Sequence, residues 1–582
     1  MGTTSPVQGG VSRLAATEIP IVVPQVTPAS GRRAWLVRLC TPALCDFFFL
    51  AVLAWLFMAG PHGWSSLLAD ADTGWHIRTG QTILHDGRVP HQDLFSFSKA
   101  GQPWFAWEWL SDVLFALAFR AFGFRGIVLL AGALVGIFAV LVLQYALWRG
   151  ANSFLALGVT LLAVGAATIH FLARPHLFTL VFFVIAVWLL DADRRRHTRL
   201  VWLLPALTVL WTNLHGGFVI LLVWLGALGV SALIESIWSR RELREAARYG
   251  ALLAASGAAT LINPYGYRLH QHLFGYLESD WIRNMVQEFQ APTFRGESQF
   301  QFELLLLAGV AAAAMALARR DVAVGVTVLL MAHMALTSAR HIPLFVAVAG
   351  PAIAVELTRF WKNVLGWQPR SSIAGIVDQL AVDVTEKLRR VSVLVPASLV
   401  VLLVVPLGIA WPTDFASELF PIRLAASQAE VLKSNRLFTT DQWADYLIFH
   451  DWPQVHVFLD GRTDFYGRQL GTEYIALLHG EPKWRRVLTK YGFTAVLIPP
   501  DMPLAALLHE DSGWRVIAQD KMAVLFVRSV QGVPPRDASG VLRTGLTETT
   551  PGGPHCAGTG QGREPNENVP ADRHISQETR PS

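Results

Sequence analysis

The sequence predicts an α-helical polytopic membrane protein of about eleven spans, with a small extracytoplasmic α/β domain near its C-terminal end. Three observations lead there. Hydrophobic residues make up 53% of the 582-residue chain and charged residues only 16%, too little charge to cover a water-soluble surface of that size. Apolar runs recur at 44–60, 126–148, 153–171, 177–190, 200–214, 218–237, 250–263, 302–318, 322–338, 343–358 and 391–411. After residue 412 the pattern changes to short strand-like segments separated by helical ones.

Residues 1–43 are rich in Pro, Gly, Ser and Thr and read as a disordered cytoplasmic lead-in. The first apolar run starts late and lacks a small-residue cleavage site, so an uncleaved anchor is expected rather than a signal peptide. Several runs are shorter than the roughly 20 residues of a perpendicular span. They are expected to borrow flanking polar residues buried within the bundle. The spanning domain covers 44–411, with outer loops at 61–125 and 264–301. The α/β domain covers 412–530, with strands expected at 456–461, 495–500, 514–520 and 523–529, and 531–582 reads as a disordered tail.

Charge sets the topology. The net charge of +5 resides in short Lys/Arg groups between apolar runs, which is the positive-inside pattern and not a nucleic-acid patch. Basic groups at 194–196, 239–248, 319–320 and 359–390 are placed in the cytoplasm. With the N-terminus also cytoplasmic, parity holds only if the short, charged segment 107–123 does not cross. It is therefore assigned to the first loop as an interfacial or re-entrant helix. The C-terminal region then lies outside the plasma (inner) membrane. Three cysteines give no disulfide framework.

The polar residues concentrate on the outer side. Asp70 and Asp72 follow the first span directly; two carboxylates at that spacing can share a divalent metal, or one can act as a base. A solvated turn is the plainer alternative. His76 and Arg78 follow in the same loop, where the His and Asp spacings match no zinc signature, so substrate contact is expected instead. Glu108 sits among tryptophans, where burial would raise its pKa and suit it to acid–base work. At the outer ends of later spans stand Arg174 and His176, His215, Asn263, and Arg340 and His341. Ionisable groups in membrane segments point to function by default, and the two guanidinium groups suit an anionic head group. Interfacial snorkelling competes with that assignment. Glu288, in the second outer loop, is a further candidate carboxylate. Asp460, Arg462 and Asp464 of LDGRTDFYG are read as a structural Asp–Arg arrangement at a strand end.

Taken together, the first span, the outer loop bearing Asp70-Ala71-Asp72, an amphipathic helix in that loop and later spans with polar outer ends resemble the GT-C superfamily of membrane glycosyltransferases. More narrowly, ADTGWHIRTG followed by GRVPHQDLFSFSKAGQPWFAWEWL is similar to bacterial relatives of protein O-mannosyltransferases and of lipid A or lipopolysaccharide sugar transferases. The resemblance implies transfer of a sugar from a polyprenyl-phosphate donor to a hydroxyl of a glycan, lipid or protein acceptor, with inversion. Asp70 or Asp72 would take the acceptor proton, and basic residues would stabilise the departing lipid phosphate. Some branches use a divalent metal such as Mg2+ or Mn2+, which Asp70 and Asp72 would hold. Arg174-Pro175-His176 stands where an acidic pair would complete such a site, so no cofactor is expected to be required. Membrane lipids are expected partners and nucleic acid is not. The alternative class is a transporter, flippase or non-catalytic binder of lipid-linked or anionic substrates, although no internal repeat is visible.

Overall fold

The computed structural model describes residues 40–58, 63–238, 241–296, 299–367, 369, 372–405 and 408–529. Nearly all of the lead-in expected at 1–43, and all of the tail expected at 531–582, lie outside the described residues.

Helices dominate. In chain order they are α1 (Leu44–Met58), α2 (Asp72–Asp86), α3 (Trp109–Trp148), α4 (Ser153–Ala167), α5 (His176–Arg196), α6 (Leu204–Leu214), α7 (Val219–Glu235) and α8 (Arg241–Ala259). Then follow α9 (Arg268–Glu278), α10 (Asp280–Met285), α11 (Gln299–Ala318), α12 (Val322–Thr337), α13 (Ile342–Leu365), α14 (Ile373–Leu388) and α15 (Leu394–Val404). Among the described residues six helical segments are long and apolar enough to cross a membrane, and four shorter ones are apolar. The expected run at 250–263 belongs to neither group. It falls partly on α8, whose first half is the charged RELREAAR.

The outer faces of these helices are those of a membrane protein. On α11, Phe300, Leu304 and Leu307 are 63%, 40% and 65% exposed, while Phe302, Leu305, Ala312 and Ala313 are buried. One helix thus shows large apolar side chains outward as well as a packed face inward, which suits lipid outside and packed helices within. α3 breaks at Gly123, with φ 59° and ψ −151°, dividing the segment at 109–122 from the long apolar helix after it. That break falls where the charge pattern ends the first loop.

The C-terminal part contributes α16 (Ile422–Ser427), α17 (Ala429–Ser434), β1 (Leu437–Thr439), α18 (Asp441–Asp451), α19 (Thr463–Leu478), α20 (Trp484–Lys490), β2 (Ala495–Ile498), α21 (Pro503–Glu510), β3 (Trp514–Gln519) and β4 (Val524–Arg528). The sheet order is β1-β2-β4-β3, with β1 parallel to β2 and the other pairs antiparallel. Three of the four expected strands are present. The stretch at 456–461 is not in the sheet: Phe97 N donates to Val457 O at 2.9 Å and Val457 N to Phe95 O at 3.1 Å, so it is bonded to the first loop. Its apolar residues are buried because two parts of the chain meet there, which alternation alone cannot distinguish from a strand.

That meeting fixes α2. The helix is enclosed by α3 on one side and α18 on the other. At Gly80 a Cβ would stand 1.9 Å from Asp112 O, and at Gly74 one would stand 2.8 Å from the Phe449 Cβ. Glycine is needed at both points for the backbones to approach this closely. The Gly74-Trp75-His76 and Thr79-Gly80 steps are therefore packing signals that set the height of the carboxylates at the N-terminal end of α2.

Candidate functional site

A cavity of about 710 Å³ opens where the first loop, the starts of α5, α7 and α13, the second outer loop and the C-terminal part converge. Its centre is Arg174. The segment before α5 is tied to the first loop by Ala173 N donating to Leu67 O at 2.8 Å and Thr73 Oγ1 donating to Ala173 O at 2.8 Å. This presents the guanidinium to both loop carboxylates. Arg174 Nη1 donates to Asp70 Oδ2 at 2.8 Å, and Nη2 lies 2.7 Å from Asp72 Oδ2. Nη1 also reaches Glu288 Oε1 at 3.4 Å. Glu288 Oε2 is 3.8 Å from Arg340 Nη2, and the Arg340 guanidinium lies over the Phe289 ring at 4.2 Å. Asp72, Asp70, Arg174, Glu288 and Arg340 thus form a continuous charged wall.

A second polar row runs deeper. His76 Nδ1 is 2.6 Å from Asp112 Oδ1, and its Nε2 faces Glu108 Oε2 at 3.7 Å. On the other side of Glu108, His215 Nε2 lies 3.4 Å from Oε1. His215 Nδ1 receives the Gly217 N–H at 2.9 Å, which assigns its proton to Nε2, facing Glu108.

Burial dominates the electrostatics. It raises Glu108 to about 8 against the opposing pull of Arg174. It raises Asp72 to about 7, again with Arg174 opposing and Asp70 adding to the rise. His76 is held well below its ordinary value by burial and then by Arg174, so it is neutral. For Glu288 burial is outweighed by Arg174, with His170 and Arg340 adding to it, and these hold it at about 2.

Ten of the twelve residues singled out in the sequence line this cavity: Asp70, Asp72, His76, Glu108, Arg174, His176, His215, Glu288, Arg340 and His341. His176 Nε2 and His341 Nδ1 bond the carbonyls of His170 and Met334, which orients both rings. Arg78 and Asn263 are elsewhere, contrary to expectation. Arg78 Nε donates to Phe449 O at 2.6 Å, because α2 turns that face toward α18. Asn263 accepts from Tyr265 N at 2.8 Å and donates to Thr260 O, closing the turn after α8. The reading of the first loop by itself passed over Asp112, and Asp441, Gln442 and Asp445 of α18 were not singled out at all. Asp112 and Asp445 each stand in an apolar helical stretch, LSDVLF and WADYLIF, and an acid in such a stretch was the available signal.

The cavity is also lined by apolar residues, Leu180, Val219, Ile220, Val223 and Leu344, from helical segments long and apolar enough to cross a membrane. Among the described residues, no group of three or more His, Cys, Asp or Glu is arranged to hold a metal ion. A cation at Asp70 and Asp72 would have to displace the Arg174 guanidinium from both carboxylates, so the donor set as arranged fits the arginine and not a metal.

No protein-family model and no curated protein matches the sequence. Solved structures do. The oligosaccharyltransferase AglB from Archaeoglobus fulgidus, in complex with an inhibitory peptide and a dolichol-phosphate, is similar with a TM-score of 0.48 at 12% identity, over 84% of this chain and 74% of that one. ArnT from Cupriavidus metallidurans bound to undecaprenyl phosphate is similar with a TM-score of 0.46 at 15% identity, over 87% of this chain and 100% of that one. Neither likeness assigns a residue, a sugar or an acceptor.

Proposed function

We propose that this chain is an integral membrane glycosyltransferase that moves a sugar from a polyprenyl-phosphate-linked donor to an acceptor hydroxyl on the extracytoplasmic face. One observation carries the reading: Arg174 bridges Asp70 and Asp72 in a cavity that is also lined by apolar residues of long apolar helices. Such a cavity suits an amphiphile with a charged head, and the donor class follows from the resemblance of the first loop. In this reading the bundle has eleven spans, with the N-terminus cytoplasmic and the C-terminal part outside the plasma membrane. The charged ends of α5 support that orientation. His176 opens α5 at the cavity, and Arg194–Arg196 close it about 30 Å away by helical rise.

The reaction is a displacement at the anomeric carbon. The acceptor oxygen bonds to C1 on the face opposite the phosphate, and the C1–O bond to phosphate breaks with its electron pair passing to the phosphate. The acceptor proton passes to a carboxylate of the Asp70–Asp72 pair, and the sugar inverts. Arg340, held by the distant Glu288 contact and the Phe289 ring, offers its N–H groups to the leaving phosphate, and Arg174 supports it. Neutral His215 and protonated Glu108 supply donors to sugar hydroxyls without adding charge. The proposed reaction invokes no metal, because the Arg174 guanidinium occupies both carboxylates.

The test is transfer of labelled sugar from a panel of polyprenyl-phosphate donors by the purified full chain in lipid, with and without a chelator. Wild type should transfer, Asp70→Asn or Asp72→Asn should abolish transfer while remaining folded, and the chelator should have no effect. Donor binding with no turnover across the panel would overturn the enzyme and favour a carrier or binding protein.

A further inference from the structure

The floor beneath Asp72 holds a second carboxyl that the transfer reaction does not obviously need. Asp445 projects from α18, fully buried, and accepts the Gly461 N–H on both oxygens at 3.2 and 3.1 Å. Asp72 Oδ1 and Asp445 Oδ2 converge on the same point beside Gly461, with no side chain between them. Asp72 Oδ1 is buried and meets no N–H or O–H donor among the described residues. Two buried carboxyl groups can satisfy one another only if one of them carries a proton.

Gly461 shows how close the arrangement is. A Cβ there would stand 2.0 Å from Asp72 Oδ1 and 2.8 Å from Asp445 Oδ2. Both oxygens crowd the space that any other residue would fill, so the glycine of the LDGR turn permits the pair. The charged groups around it are Asp70 before α2, Arg174 before α5, Asp441 on α18, Asp460 before α19 and, across the cavity, Glu108. Only Arg174 among these is cationic, and it is already shared with Asp70.

We propose that Asp72 and Asp445 form a one-proton carboxyl pair through which the C-terminal part of the chain sets the ionisation of the catalytic cluster. Asp445 is a positioning residue: it touches Asp72 and not the substrate. The pair carries a single negative charge, which matches the single Arg174 contact, and its next proton binds near neutrality. A base whose proton affinity lies near the working pH is the most effective. Burial, with Asp72 and then Asp460 adding to it, raises Asp445 well above the usual carboxylate range, in keeping with the pair.

The kinetic part rests on the glycosyltransferase reading; the proton itself does not. The full chain in lipid is examined by infrared difference spectroscopy of protonated carboxyl groups at about pH 6, where Asp445 holds its proton. Asp445→Asn keeps the shape and the Gly461 contact and supplies an amide donor to Asp72, so one protonated carboxyl should disappear. In transfer assays Asp445→Ala, which removes the donor that holds Asp72 ionised, should move the acid limb of the pH–rate profile up, whereas Asp445→Asn, which supplies an amide donor, should hold it near that of wild type. A role in folding alone would lower the amount of active protein and leave the limb in place. An unchanged carboxyl band in a folded Asp445→Asn overturns the pair. Should that variant not fold, titration of the Glu108→Gln protein from about pH 6 to about pH 9 still decides, since one protonated carboxyl must be lost. No loss over that range overturns the pair whether or not the chain transfers sugar.

Discussion

Two clusters in this chain are made from the same parts, two aspartates and an arginine, and they do different things. In the first, Asp93 and Asp460 enclose Arg462. Asp460 receives Arg462 Nε at 2.8 Å, Nη2 at 2.6 Å and the Tyr466 hydroxyl at 2.6 Å. Asp93 receives Arg462 Nη2, the Ser96 hydroxyl and two backbone N–H groups. The rings of Phe95, Trp104 and Phe465 surround the guanidinium. In the second, Asp70 and Asp72 hold Arg174 at the cavity, Asp70 remains part-exposed, and an oxygen of Asp72 depends on a proton for its partner. Saturation separates a rivet from a site. Carboxylates whose lone pairs are all engaged join the first loop to the C-terminal part, and those left short of donors can accept something new.

The predictions test that contrast. The largest effect is at the open cluster: Asp72→Asn should lower transfer by about 10²- to 10⁴-fold, the range for loss of a base, with a melting temperature near that of wild type. The closed cluster should respond the opposite way. Asp460→Asn leaves Arg462 buried without its main partner and should cost about 3 to 5 kcal/mol of stability, read by thermal unfolding, while the protein that remains folded keeps its turnover rate. If Asp460→Asn instead lowered turnover at unchanged stability, the distinction would fail. A smaller effect is expected from Arg340→Gln, which removes a charge-assisted contact to the leaving phosphate: steady-state kinetics should show kcat about tenfold lower, with a smaller change in the KM for donor.

The smallest effect is on pH dependence. Glu108 is raised from 4.5 to about 8 in the folded chain, so the folded state holds a proton that the unfolded state releases. Its contribution to stability is fully present below about pH 4.5 and is lost as pH rises through about 8. Glu108→Gln is neutral throughout. The wild type should therefore lose more thermal stability than this variant between about pH 5 and about pH 8, as measured by melts across that range.

Much of the site was legible because its chemistry is local. Asp70, Asp72 and Glu108 lie in one loop dense in polar groups after an apolar run, and Arg174, His176 and Arg340 stand at helix starts where a charge in a spanning segment needs a reason. Arg78 and Asn263 misled because a polar residue near a site has the same signature whether it faces a cavity, a neighbouring helix or its own turn. Asp445 was missed because its partner lies far away in the chain and the surrounding WADYLIF looks like ordinary core. The stretch at 456–461 looked like a strand because a segment buried against a loop and one buried in a sheet carry the same residues.

The hydrogen bond from Ala71 N to Gln442 Oε1 spans 371 residues. A ribosome adding about 5 to 20 residues each second makes the first loop on the order of half a minute before the segment that floors it. Over that interval the carboxylates lack Asp445 and Gly461 beside them. The cluster gains its final ionisation only when the last part of the chain arrives, so a product truncated before α18 carries every spanning helix and lacks a finished site.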